Sequence, residues 1–226
     1  MLAFGDSITN GGGELQWGVA LQSWALWLAR GLGLPFTSYA VDGASVAGVV
    51  QQQIPAFERL TAHPAARYEL GCLYIGVNDV RALDWDAEAF EQRLREVHGF
   101  LRDRCDRVLA VTAPLDVGRP RAGEKVHELN AAIERVAADH GALVLDLRSF
   151  GARNLVMPDH VHPTAFGQIS IAERALAVLE RDGLHAAVHP STLIVYETAW
   201  RGRLRGDMSY AHRRAKVSWR AWRGRW

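Results

Sequence analysis

Five short apolar runs punctuate the chain: Leu2–Phe4, Phe36–Val41, Leu70–Gly76, Arg107–Thr112 and Ala142–Leu147. Each is rich in Val, Leu, Ile or aromatic residues and lacks strict alternation, which predicts strands covered on both faces. Between and after them apolar positions recur with helical period over Ala20–Gly31, Ala44–Arg59, Ala87–Arg104, Gly123–His140 and Thr164–Arg181. Several of these segments carry end signals. Gly31 and Gly33 can stop the first helix and Gly141 the fourth, Asp86 can cap the third, and Thr164 can cap the last. Alternating strands and helices predict a parallel sheet flanked by helices. A chain of 226 residues can build one such α/β domain with a well-buried core.

This architecture directs attention to one rim. In open α/β sheets, ligands bind outside the carboxyl ends of the strands. Ser7 follows the first predicted strand, Gly43 the second and Asn78 the third, so all three fall on that rim. His162 comes after the fifth strand and can reach the same rim from the loop before the last helix.

The residues at these places supply the parts for acyl transfer by a serine nucleophile. They lie in Gly5-Asp6-Ser7-Ile8-Thr9, Asp42-Gly43-Ala44-Ser45, Gly76-Val77-Asn78-Asp79 and Asp159-His160-Val161-His162-Pro163. A serine just past a buried strand, at a helix start, would expose its Oγ and offer its backbone N–H to an oxyanion. Alone, Ser7 reads equally as a helix cap, Gly43 as a turn glycine and Asn78 as a turn residue. Asp159 can meet a histidine three residues later if the loop folds back. Asp6 and Asp79 read as loop-fixing side chains that accept backbone N–H bonds.

In these motifs and their order, over roughly residues 2–180, the chain resembles the SGNH (GDSL) hydrolase family. The resemblance implies a three-layer α/β/α sandwich with a five-stranded parallel sheet in the flavodoxin-like order 2-1-3-4-5. It implies Ser7 as nucleophile, His162 as general base and Asp159 as its orienting acid. Ser7, Gly43 and Asn78 become the oxyanion donors, and the pattern Asp-x-x-His-Pro selects His162 over His160. His160 is left as an exposed loop residue or a substrate-loop residue. The implied activity is cleavage of carboxylic esters, as an esterase or lipase, through an acyl-enzyme and without metal or organic cofactor. Two alternatives share the chain: an acyltransferase using the same site, and a non-catalytic protein acting through its tail.

Composition changes the picture mainly at the C-terminus. Net charge is +1 overall, yet residues 201–226 hold nine Lys/Arg against Asp207 alone. The expected division is therefore residues 1–185 as a hydrolase-like catalytic domain and 186–226 as a basic, Trp-rich extension. Within Ala211–Trp226, Ala215, Trp219, Trp222 and Trp226 recur at helical spacing, and most of the cations fall elsewhere on the wheel. Gly224 weakens the last turn. Three readings are open: tryptophans docked on the acidic body, contact with a membrane surface, or another partner; nucleic acid is not expected. Trp17, Trp24 and Trp27 either line a pocket or pack. Cys72 and Cys105 read as free thiols. No signal-like segment precedes the first strand and no apolar run is long enough to span a bilayer, so a cytoplasmic location is expected. A glycine-rich Asn10-Gly11-Gly12-Gly13 follows the first strand but lacks the Lys-Ser/Thr of a phosphate loop.

Overall fold

The computed structural model describes residues 1–61, 66–117, 122–152 and 154–223. Five parallel strands, β1 (Leu2–Gly5), β2 (Thr37–Ser38), β3 (Tyr68–Tyr74), β4 (Cys105–Val111) and β5 (Leu143–Leu145), form one sheet in the order 2-1-3-4-5. The helices are α1 (Ser7–Asn10), α2 (Trp24–Leu32), α3 (Val46–Gly48), α4 (Ile54–Leu60), α5 (Val77–Val80), α6 (Ala87–Arg104), α7 (Lys125–Asp139), α8 (Ala165–Arg181) and α9 (Trp200–Arg223). A π-turn over Val49–Gln53 joins α3 to α4. Helices α2 and α8 pack together on one face of the sheet, and α6 packs against α7 on the other. This is the predicted three-layer α/β/α arrangement.

The central strands are apolar because both faces are covered. Phe4, Phe57 and Phe100 meet edge to face at 5.5–6.4 Å on one side. On the other, Trp24 is fully buried 6.4 Å from the Tyr74 ring, and its indole N–H donates to Thr9. Trp24 therefore packs in the core, and Trp27 is buried too while bordering a cleft with Arg30 and Leu193. Cys72 and Cys105 are buried free thiols, and burial pushes the Cys105 thiol up to about 12.

The predicted boundaries shift where a side chain does what a backbone was expected to do. The second strand was expected over 36–41, and its N–H groups do keep the ladder: Thr37, Tyr39 and Val41 donate to Met1, Ala3 and Gly5. The return bond fails at Gly5, whose N–H goes instead to the Gln53 Oε1 at 3.1 Å, while Gln53 Nε2 donates to Gly5 O at 2.7 Å. The buried amide thus replaces the strand, and regular pairing ends at Ser38. The first long helix begins at Trp24 and not Ala20 because Ser23 caps it, accepting from the Leu26 N–H. Gly31 does not stop that helix. It lies inside it, where its carbonyl takes the N–H groups of Ala187 and Val188 at 2.8 and 3.0 Å. A Cβ there would press on Leu176 at 2.9 Å. Gly33, in the left-handed region at φ +69°, ends the helix.

The C-terminal segment returns to the body before the basic helix begins. Glu173 accepts from the Ser191 N–H and pairs with His189, and the Glu197 N–H donates to Trp17 O at 2.6 Å. Helix α9 starts well before the predicted Ala211. It docks by its small residues: Gly202 sits on the Glu197 side chain, and Gly206 on the Trp17 indole. Of the tail's tryptophans, Trp219 is about half exposed, and Trp200 at the start of the helix is more so. Gly224, Trp226 and the Trp222 side chain lie outside the described structure. Among the described residues no helix is long and apolar enough to cross a membrane.

Candidate active site

The strand ends bring the predicted residues to one rim. Ser7 is the first residue of α1, directly after β1, so its N–H lies among the helix-terminal donors that have no intrahelical acceptor. Asp6 caps that helix, its Oδ1 accepting from the Ile8 N–H at 2.9 Å. Its side chain is buried and its Oδ2 has no partner, and burial pushes the carboxyl up to about 7 against the pull of Ile8 and His162.

The loop before α8 folds back on itself through Asp159. Its Oδ1 accepts from the N–H groups of Val161 and His162 at 2.9 and 3.0 Å, and its Oδ2 meets His162 Nδ1 at 2.7 Å. With Nδ1–H committed to a carboxylate, Nε2 is left as an acceptor. It lies 2.9 Å from Ser7 Oγ. The Asp159 hydrogen bond raises the His162 pKa above its ordinary value, outweighing burial. Burial pushes the Asp159 carboxyl up, but the bonds from the His162 ring and the two backbone N–H groups hold it below the usual range.

Two further loops close on the same place. Asn78 Nδ2 donates to Ala44 O at 2.9 Å, and both Asp79 oxygens accept from the Val46 N–H at 3.0 and 3.1 Å. The loop after β3 thereby holds the turn carrying Gly43. Asn10 Nδ2 reaches the Asp42 carboxylate at 2.9 Å, tying that turn to the end of α1. Gly43 has φ +76° with open space where a Cβ would point, so its backbone conformation calls for glycine. Asn78 Nδ2 carries a second hydrogen besides the one used by Ala44.

His160 stands apart from this chain of bonds. It is half exposed, at φ +57°, with Nδ1 3.3 Å from Asp116.

Sequence reasoning missed the clamps behind the site. Gln168 on α8 is fully buried; it accepts from the Trp24 N–H at 2.7 Å and donates to Ile8 O and Gly12 O at 3.1 and 3.0 Å. It fastens α1, α2 and the glycine loop to the helix that follows His162. The Asn10-Gly11-Gly12-Gly13 run, which lacks the Lys-Ser/Thr of a phosphate loop, has a packing role. A Cβ on Gly12 would stand 3.0 Å from the His162 ring and 2.8 Å from Ser7 O, and one on Gly13 would strike Pro163 O. Three glycines together just past a candidate nucleophile were the readable signal.

The chain matches the profile of the GDSL-like lipase/acylhydrolase family over residues 3–168. That span takes in Ser7, Gly43, Asn78, Asp159 and His162. The chain belongs to this family. As a GDSL-family protein it is a carboxylic ester hydrolase by class. Its fold is shared with solved enzymes of low identity. One is LAE5, an α/β hydrolase from the metagenome of Lake Arreo, Spain: 20% identity, TM-score 0.63, covering 79% of this chain and 94% of that one. Another is Axe2, an acetylxylan esterase from Geobacillus stearothermophilus: 19% identity, TM-score 0.58, covering 79% and 92%. Forms of Axe2 described as catalytic mutants have a serine, an aspartate and a histidine replaced by alanine. No curated protein matches in sequence. The family match ends before α9.

Proposed function

We propose that this GDSL-family hydrolase cleaves carboxylic esters through an acyl-enzyme on Ser7. The observation that carries the reading is the continuous chain from Ser7 Oγ through the His162 ring to Asp159, with links of 2.9 and 2.7 Å. A serine hydroxyl is a weak nucleophile until a base stands within hydrogen-bond reach, and His162 Nε2 stands there. Ser7 Oγ attacks the acyl carbon while its proton passes to Nε2. Asp159 keeps the imidazole in the competent tautomer and stabilises the imidazolium.

The tetrahedral oxyanion is held by the N–H groups of Ser7 and Gly43 and by the second amide hydrogen of Asn78. Collapse of that intermediate breaks the ester C–O bond, and His162 gives its proton to the departing alcohol. A water then gives its proton to His162 as it attacks the acyl-enzyme, and Ser7 leaves with that proton. Residues 1–185 carry all of this chemistry, which fits the division of labour between them and 186–226. The catalytic mutants of Axe2 support the same assignment by analogy of residue types.

The test is labelling with a fluorophosphonate probe, together with turnover of a short-chain aryl ester. The native chain is expected to label and turn over, and Ser7→Ala to do neither while keeping its circular dichroism and melting temperature. Labelling that persists in Ser7→Ala would place the nucleophile elsewhere.

A further inference from the structure

Helix α9 lies outside the family match, and the face it turns away from the body is apolar. Gly206 contacts the Trp17 indole on the body, and Gly202 contacts the Glu197 side chain just ahead of the helix. At about 100° per residue, positions two further along point roughly the opposite way. Those positions are Leu204 and Met208, which are 50% and 64% exposed, in line with Trp200 at 68% and Trp219 at 51%. Exposed cations flank this stripe: Arg201 and Arg205 on one side, and on the other Arg203, whose guanidinium lies 5.6 Å from the Trp17 ring of the body. Over its 24 residues the helix sequence carries eight Lys/Arg and one acid, Asp207.

We propose that α9 is an interfacial helix that seats this protein on an anionic phospholipid surface. The pattern of charge and apolar area selects the occupant. A second copy meeting stripe to stripe would set two strongly cationic helices side by side, with like charges on both flanks. A nucleic acid would use the cations but leave tryptophan, leucine and methionine in water. A bilayer uses both: the stripe enters the boundary between headgroups and acyl chains, and arginines beside it such as Arg201 and Arg205 reach up to anionic headgroups. The helix is too polar to span, so it lies along the surface.

The placement matters to the site. Tyr210, on the body side of α9, lines clefts that also include Met157, Pro158 and His160, the last two flanking Asp159. Lipid seating of the outer stripe therefore holds the catalytic loop about one helix diameter, roughly 10 Å, from the headgroups. The inference goes beyond ester cleavage, and its binding readout needs no turnover, so the two readings fail independently.

The experiment is co-sedimentation of the full chain with sucrose-loaded vesicles in 0.1 M NaCl. Vesicles of phosphatidylcholine alone are compared with vesicles containing about one-third phosphatidylglycerol. The native chain is expected to pellet with the anionic vesicles, and to be released by 1 M NaCl as the charges are screened. The variant Leu204→Ser/Met208→Ser, changed only at exposed positions, is expected to bind at least about tenfold more weakly. It should cleave a soluble ester at the native rate. Failure of the native chain to bind anionic vesicles overturns the proposal. So does equal binding by the variant, which would reduce the helix to a charge patch, and so does a dimer that the variant abolishes in the absence of any vesicle binding.

Discussion

His98 offers a clean test of how burial sets stability in this fold. It lies on the inner face of α6, fully buried, with its ring 5.8 Å from that of His140. Neither ring nitrogen has a hydrogen-bond partner. Burial, helped by the proximity of His140, lowers its pKa from 6.5 to about 4. The sign follows from linkage. Between these two values the unfolded chain takes up a proton that the folded chain refuses, so stability falls as pH falls from 6.5 towards 4. A shift of this size corresponds to about 3 kcal/mol once pH lies below both values, and to about 2 kcal/mol at pH 5. His98→Leu keeps a helix-forming apolar side chain and removes the titration. In the native chain alone the slope is partly masked, because Asp6, with its carboxyl raised to about 7, loses stability in the opposite direction, as pH rises. The diagnostic quantity is therefore the difference between the two proteins. Urea unfolding followed by circular dichroism at pH 7.5 and 5.0 is expected to show the advantage of His98→Leu growing by about 2 kcal/mol at the lower pH. An advantage equal at both pH values would refute the argument, because it would mean the folded state protonates His98 as readily as the unfolded one.

Three predictions concern the site. Asn78→Ala is expected to lower kcat by about 10²–10³ with little change in KM, and a native kcat would remove Asn78 from the oxyanion donors. Asp159→Asn should cost about 10³–10⁴ in kcat, and the residual kcat/KM should lose its acid limb at a lower pH than in the native enzyme. The reason is that the Asp159 hydrogen bond raises the His162 pKa, so in the native enzyme the base is lost, as pH falls, above its ordinary value; an unmoved limb would break that link. Gly12→Ala places a methyl group 3.0 Å from the His162 ring and should cut kcat at least about tenfold while fluorophosphonate labelling slows in step. Native turnover in that variant would show that the ring has slack the geometry denies.

The strands and the site motifs were legible for one reason: each is local in sequence. An apolar run between turn signals is a buried strand wherever it sits, and Asp159 reaches His162 within a single turn of loop. What was illegible depends on partners far along the chain. Gln53 and Gln168 look like ordinary polar helix residues until Gly5, Trp24 and Ile8 arrive from 48 to 160 positions away. The early end of β2 follows from the first of these, because Gln53 takes the Gly5 N–H that the next carbonyl of the strand would have accepted. Gly31 reads as a helix stop because nothing nearby reveals that residues 187 and 188 will cross it. In α9 the amphipathic period was visible, but a period shows only that two faces differ. The glycine at 206 decided which face met the body.

Ser7 and His162 stand 155 residues apart in sequence, the first just past the opening strand and the second beyond the last. On the proposed assignment, the Ser7 hydroxyl has no base to activate it until 155 further residues have been made. The same separation makes covalent labelling of Ser7 a probe of assembly. It can appear only when β1 has found its place between β2 and β3 and the segment leading into α8 has closed over it. Its rate of appearance after dilution from denaturant therefore times this long-range closure.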